Sequence, residues 1–408
     1  MTLSPAQLSQ AASAKPQGLY VHVPFCVRRC RYCDFSSNVF RPDLAEAFVA
    51  AVLAELAFWS ARLDLSEVRT IFLGGGTPTV LPAGQLNRLI RNLLASCPGL
   101  IEEFTIEANP ATIDPPLARQ LRSLGVARIS LGAQSFDPAE LAMLGRLHSA
   151  DQVRQSVAIV RDAGFSNVNL DLMFGLPGQT PAGWRSSLAA AAALGVEHLS
   201  CYALSIEPRT PMGDDVAAGR IRPLDEFLAA DMYRATLRDL LRAGFQHYEI
   251  SNWAKPAARG AGPVPAAQDF LLPAFHCRHN VLYWDNRPWL AIGPAAASYL
   301  GGIRFKAAGD LATYLAAAGA GRPAYDDAEQ LTGLRALGEA IMLALRMRRG
   351  LDVDEFRSRY GIDVANHFSG PIARHARAGL LRWAGRRLQL TELALPVADS
   401  VLADFITL

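Results

Sequence analysis

Residues 20–35 read Tyr20-Val21-His22-Val23-Pro24-Phe25-Cys26-Val27-Arg28-Arg29-Cys30-Arg31-Tyr32-Cys33-Asp34-Phe35. The spacing C-x3-C-x2-C draws three thiolates from one short loop and no fourth. A four-iron cluster has four corners, usually held by four thiolates. Three cysteines leave one iron open to a small ligand, so the stretch speaks of reactivity as well as of ligation. Zinc is the alternative on these residues alone. Structural zinc takes four ligands, typically from two C-x2-C pairs, and here His22 or Asp34 would have to complete the set. Arg28, Arg29 and Arg31 favour an exposed loop and are expected to lower the thiol pKa values.

The rest of the chain sets bounds around that loop. Its 408 residues suffice for one large domain and a smaller one. Half are hydrophobic and 19% charged, as expected of a well-buried globular protein. A net charge of +2 leaves no electrostatic footprint for nucleic acid, which is not expected as a partner. Six cysteines over this length are no disulfide framework, and their use points to a reducing cytoplasm. Residues 1–17 lack the basic start, apolar core and cleavage site of a signal peptide and read as a disordered lead-in.

From residue 18 onward, short β-rich runs alternate with amphipathic stretches. Strands are expected at 19–23, 70–73, 104–107, 128–131, 168–173, 198–204 and 247–250. Helices are expected at 43–62, 82–95, 115–124, 138–144, 150–163, 181–194 and 225–243. Such repeats predict an α/β fold with a parallel sheet and right-handed crossovers. Periodicity leaves an open doubly wound sheet and an incomplete barrel as alternatives. In either fold, chemistry gathers where the strands end at their carboxyl side. The cysteine loop follows the first strand and Gly74-Gly75-Gly76-Thr77-Pro78 the second. Glu107 ends the third, Gln134 follows the fourth, and Asp171 lies late in the fifth.

Residues 254–275 are rich in Ala, Gly and Pro and read as a flexible loop. A compact aromatic block follows, from His276 to Trp289. Beyond it, helices at 331–345, 353–360 and 372–378, a hairpin at 379–390 and a last helix toward Phe405 suggest a winged-helix-like module, read as structural. The expected divisions are 1–17 lead-in, 18–253 partial barrel, 254–328 loop, aromatic block and connection, and 329–408 C-terminal domain.

The cysteine loop, with an aromatic before its last cysteine, resembles the signature of the radical S-adenosylmethionine (SAM) superfamily. That resemblance implies an incomplete (β/α)6-type barrel, a 4Fe-4S cluster on Cys26, Cys30 and Cys33, and SAM at the open iron. It further implies an electron donor if SAM is cleaved. By the same resemblance Tyr20, Phe35, Gly75, Gly76, Thr77, Glu107, Gln134, Arg146 and Asp171 are the SAM-contacting candidates.

The segments Gly132-Ala-Gln-Ser-Phe136, Asp171-Leu-Met-Phe-Gly-Leu-Pro-Gly-Gln-Thr180 and Tyr202-Ala-Leu-Ser-Ile-Glu-Pro-Arg-Thr-Pro211 narrow the likeness. They resemble the oxygen-independent coproporphyrinogen III oxidases and their relatives. Two functions share this look: radical decarboxylation to protoporphyrinogen IX, and haem chaperoning in the HemW-type branch. The oxidases carry a further cysteine two residues past the third, where this chain has Phe35. They also have a longer N-terminal extension. His279-Asn280-Val-Leu-Tyr283-Trp284 matches the HNxxYW motif of the chaperone branch. Haem is a flat apolar macrocycle whose iron takes an axial histidine or cysteine, so His279, Asn280, Tyr283 and Trp284 are the haem-binding candidates. The chaperone branch implies transfer of haem to haem-requiring proteins, membrane respiratory enzymes among them, by a monomer or homodimer. In one departure, Ala297 stands where relatives carry a histidine in Gly-Ala-His-Ser.

Overall fold

The computed structural model describes residues 3–257 and 272–406. The chain divides into two compact units, residues 1–232 with 287–330 and residues 233–286 with 331–408.

In the first unit, β1 (Gly18–Val23), β2 (Thr70–Gly75), β3 (Glu103–Ala108), β4 (Arg128–Gln134), β5 (Asn167–Phe174) and β6 (His198–Ala203) alternate with helices. Each strand pairs in parallel with the next. Their interiors are Val-, Ile- and Leu-rich runs, as strands covered on both faces require. Four further strands follow: β7 (Trp289–Ile292), β8 (Ala297–Leu300), β9 (Ile303–Ala307) and β10 (Tyr325–Gln330). The unit's strands lie in the order β10-β9-β8-β7-β1-β2-β3-β4-β5-β6. Strand β7 joins β1 in parallel, whereas β8, β9 and β10 add antiparallel.

The crossover helices start where the sequence caps them. Asp114, Asp137, Ser149 and Thr180 each accept a backbone N–H from the first turn, and all but the Ser149 cap precede a proline. The helix Pro42–Ser60 is apolar along Phe48, Val52, Leu56 and Trp59, all buried. All six parallel strands and their seven helices were legible as periodicity, ends aside. Strands β7 to β10 were not: they fall in segments expected to connect, because short pairings beside loops carry little pattern.

Residues 1–17 are also corrected. Helix Pro5–Ala12 forms there, with Ser4 and Gln7 in a reciprocal capping box and Ala11 fully buried. Of the Ala/Gly/Pro-rich loop expected at 254–275, residues 258–271 lie outside the described residues.

In the second unit, Gln246–Glu249 and Asn252–Ala254 form an antiparallel pair. Helices Gly333–Arg346, Val353–Tyr360, Ser369–Arg377 and Ala398–Ile406 accompany the hairpin Leu381–Ala384/Arg387–Leu390. Phe356, Phe368, Leu402 and Phe405 are buried in this unit, and His375 Nε2 lies 2.8 Å from Asp404. Among the described residues no helix is long and apolar enough to cross a membrane.

Candidate functional site

The strand ends of the first unit surround a cavity of about 450 Å³, inside the size range of small-molecule sites. Its wall brings together Cys26, Cys30, Cys33, Phe35, Gly75, Gly76, Thr77, Glu107, Gln134, Arg146 and Asp171. Of the residues expected to meet SAM, Tyr20 alone is not on that wall; its hydroxyl lies 3.0 Å from His22 Nδ1.

The cysteine loop is pinned at both limbs. Residues Phe25–Cys26 and Asn38–Val39 bridge in parallel, and Phe40 N–H donates to Cys26 O at 2.8 Å. Arg31 N–H donates to Leu144 O and its guanidinium pairs with Asp215. His22 Nε2 donates to Ser36 O at 2.8 Å, leaving Nδ1 to accept from Tyr20. Beneath the loop, Gly75 has φ +104°, and a Cβ there would lie 2.5 Å from the His22 ring. Only glycine meets both conditions.

The three thiols are free and half-buried. Burial pushes Cys33 up to about 11 and Cys26 upward, against the arginine effect expected from sequence. Arg31 is spent on Asp215, and Arg146 is the cation that reaches a thiol. Its Nη1 donates to Cys30 Sγ at 3.3 Å and its Nη2 to Gly132 O at 2.6 Å. Thr77 Oγ1 lies 3.7 Å from Cys26 Sγ. Among the described residues no three His, Cys, Asp or Glu side chains converge as ligands of a single ion. A four-iron cluster instead spreads its thiolates over separate corners. Arg146 Nε is buried without a hydrogen-bond partner in the same wall. Three thiols beside an unsatisfied guanidinium nitrogen fit an anionic iron–sulfur group.

The floor is a polar row across the sheet. Strand register sets Glu107 beside Ser130, Ser130 beside Asn169, and Asn169 beside His198. Glu107 Oε2 accepts from Gly75 N–H at 3.0 Å. Burial, reinforced by the charge of Asp171, pushes its carboxyl up to about 8. Asp171 accepts from Ser130 at 2.9 Å and Asn169 at 2.8 Å. Asn169 is itself oriented, because Oδ1 accepts from His198 Nδ1 at 2.6 Å and from Ser200 at 3.2 Å. All of its hydrogen-bonding capacity is used, so Asp171 is held in one pose. Gln134 has φ 60°, a strained choice for a non-glycine residue at a cavity wall.

Sequence reading missed Ser130, Asn169, His198 and Ser200. The signal was present, as Asn167, Asn169 and Asp171 recur at period two within an apolar strand.

The haem candidates lie in the second unit. Arg278–Trp284 is a helix, and His279 is buried with Nε2 2.8 Å from the Tyr283 hydroxyl. Trp284 lies under the Arg346 guanidinium, 4.7 Å from the ring centre. The neighbouring cavity, with Trp284 and Tyr360 on its wall, holds only about 70 Å³, below the usual ligand range. Ala297 in the first unit is exposed, and its carbonyl accepts from Trp289 Nε1 at 2.7 Å.

A parallel α/β sheet with a C-x3-C-x2-C loop and a glycine turn at its strand ends defines the class: this is a radical SAM fold. Residues 20–190 match the family model of the Radical SAM superfamily, and residues 331–397 that of the HemN C-terminal domain. The solved Escherichia coli coproporphyrinogen III oxidase, HemN, shares the fold at TM-score 0.82 and 22% identity, over 99% of this chain and 94% of that one. The family is narrower. The heme chaperone HemW of Lactococcus lactis is 32% identical over 96% of this chain and 98% of its own length. That of Bacillus subtilis is 31% identical over 95% and 98%, and that of Mycobacterium tuberculosis 34% over 95% and 94%. The chain belongs to the heme chaperone HemW family.

Proposed function

We infer that this protein binds haem and passes it to haem-requiring proteins, carrying a SAM-binding 4Fe-4S cluster in the strand-end cavity. The observation that supports this most is full-length likeness to heme chaperones at 31–34% identity. Phe35, in place of a fourth cysteine, adds to it.

Cys26, Cys30 and Cys33 would hold the cluster, with Arg146 beside Cys30 compensating its negative charge. When bound, the reduced cluster would supply one electron to a sulfonium ligand at its open iron. Glu107 and Asp171 offer carboxylates to the cationic and hydroxyl groups of SAM, and Ser130 with Asn169 fixes the Asp171 pose. Phe35 lines the cavity from the loop side. His279 is the axial-ligand candidate, and its Nε2 is engaged with the Tyr283 hydroxyl at 2.8 Å. The acceptors include membrane respiratory enzymes, and the site of work is the cytoplasm.

The test is anaerobic reconstitution with iron and sulfide, then haem titration. A four-iron, four-sulfide protein with a saturable Soret shift supports the reading. A protein that takes up the cluster and leaves the haem spectrum unchanged would remove it.

A further inference from the structure

We propose that Tyr248, Arg346, Arg349 and Arg359 are positioning residues for the cargo: they grip the HNxxYW helix by its two ends, and the C-terminal domain thereby sets how tightly haem is held. The proposal rests on the reading of haem as cargo and of His279 as its axial-ligand candidate.

The helix Arg278–Trp284 has seven residues. A helix so short does not hold its shape or its place unaided, because most of its N–H and C=O groups lack partners within it. What holds it comes from elsewhere in the second unit. At its start, Cys277 N–H donates to the hydroxyl of the buried Tyr248 at 3.2 Å. Along one face, Val281 and Trp284 pack into a cluster with Tyr248 and Met347. His279 stands nearly opposite Val281, since two residues turn a helix by more than half a circle. A roll of the helix on its packed face therefore moves the imidazole.

At its end the grip is cationic. The Arg346 guanidinium lies 4.7 Å from the centre of the Trp284 ring. Arg349 pairs with Asp285, and Arg359 donates from Nη1 to Asp285 O at 2.6 Å and from Nη2 to Asn286 O. Positive charge is favourable where a helix ends, and three cations meet this one at its last residue and the two beyond. Asn286 takes φ 50°, which turns the chain sharply away, and its Nδ2 donates to the Tyr360 hydroxyl at 3.2 Å.

The two grips are one structure. Arg348 N–H donates to Tyr248 O at 2.9 Å, and Glu249 bridges Met347 antiparallel. Residues 346–349 thus clasp the strand that carries Tyr248 while presenting Arg346 and Arg349 to the helix end. None of the four residues belongs to the motif, and the three arginines lie within the segment that matches the HemN C-terminal domain. Partners that orient a ligating side chain typically change affinity about 10–100-fold when removed.

The experiment is a haem titration of the full chain and its variants, with thermal midpoints and the ferric EPR spectrum at saturating haem. Tyr248→Phe and Arg359→Ala should each weaken haem binding about tenfold and shift the g values of the bound form. Arg359→Lys keeps a cation and donors at the same two carbonyls and should recover most of the loss. Arg377→Ala makes the same charge change on an exposed helix face and should bind like the parent, which separates grip from general attraction of an anionic ligand. A variant that is merely less stable has a lower midpoint, yet once saturated it gives the parent's spectrum. Parent affinity and spectrum in either Tyr248→Phe or Arg359→Ala overturn the proposal, as does weaker binding with an unaltered spectrum or an equal loss in Arg377→Ala. The reading beneath it fails differently. A parent chain that binds no haem removes the cargo, and binding that survives His279→Ala removes the axial ligand; the proposal falls with either.

Discussion

Replacing Asn169 by Asp changes one nitrogen to oxygen at the centre of the polar row. The side chain is 1% exposed, and its Nδ2 donates to Asp171 at 2.8 Å and to Ser130 at 2.7 Å. In the variant a second carboxylate faces Asp171 at that separation. Two carboxylates this close in a buried setting do not both ionise near neutrality, so the pair retains one proton. An unfolded aspartate titrates near 3.9, so above about pH 4 the folded variant holds a proton that the unfolded chain has released. Its stability therefore falls as pH rises, at about 1.4 kcal/mol per unit, until the pair's second proton leaves. The loss of two buried donors adds a pH-independent cost of about 1–3 kcal/mol. Relative to the parent chain, the variant should lose a further 2–3 kcal/mol, roughly, between pH 5 and 7. Other buried carboxyls titrate in both proteins and cancel in the difference. Urea midpoints at the two pH values, with unchanged slope, read this directly. An offset of the same size at both would show that residue 169 does not face Asp171, and the positioning argument would fall.

Glu55 is buried, accepts from Gly293 N–H at 2.9 Å and Tyr314 O–H at 2.6 Å, and is pushed by burial up to about 7. Its folded value lies above the unfolded one, so its stabilisation is complete at low pH and lost as pH rises through 7. Glu55→Gln should thus flatten the stability profile from pH 5 to 8, gaining about 1–3 kcal/mol on the parent at the upper end; parallel thermal-melt profiles would contradict this. Gly75→Ala meets both a φ of +104° and the His22 ring; we expect a loss of about 2–4 kcal/mol and reduced cluster uptake, read by denaturation and iron content. Because Glu107 sits near 8 in the ligand-free protein, SAM affinity should rise with pH up to about 8, where an α-amino group itself titrates. Glu107→Gln should abolish that rise in a calorimetric titration, and a slope retained in the variant would assign it elsewhere.

The parallel core was legible because each strand–helix unit carries its own pattern. An apolar run of four to eight residues alternates with an amphipathic stretch opened by a cap such as Asp137-Pro138 or Thr180-Pro181. Cys26, Cys30 and Cys33 were legible because their spacing is chemical. What escaped was relational. Trp289–Ile292 is a strand because β1 offers it an open edge, which no local pattern announces. Asn169 matters through His198, twenty-nine residues away in sequence and adjacent only through the β5–β6 register. The HNxxYW block separated the chaperone branch by residue type, but its packing carried no pattern: His279 is buried, with Nε2 2.8 Å from the Tyr283 hydroxyl. Exposed residues such as Val27 and Leu147 carry no signal until the fold sets them around one opening.

The most direct test of the account is one assay on cluster-loaded protein. Coproporphyrinogen III is incubated with SAM and a low-potential reductant, alongside a haem titration of the same sample. The account predicts saturable haem binding with coproporphyrinogen left unchanged. Stoichiometric or catalytic appearance of protoporphyrinogen IX would contradict it and make this chain a decarboxylase.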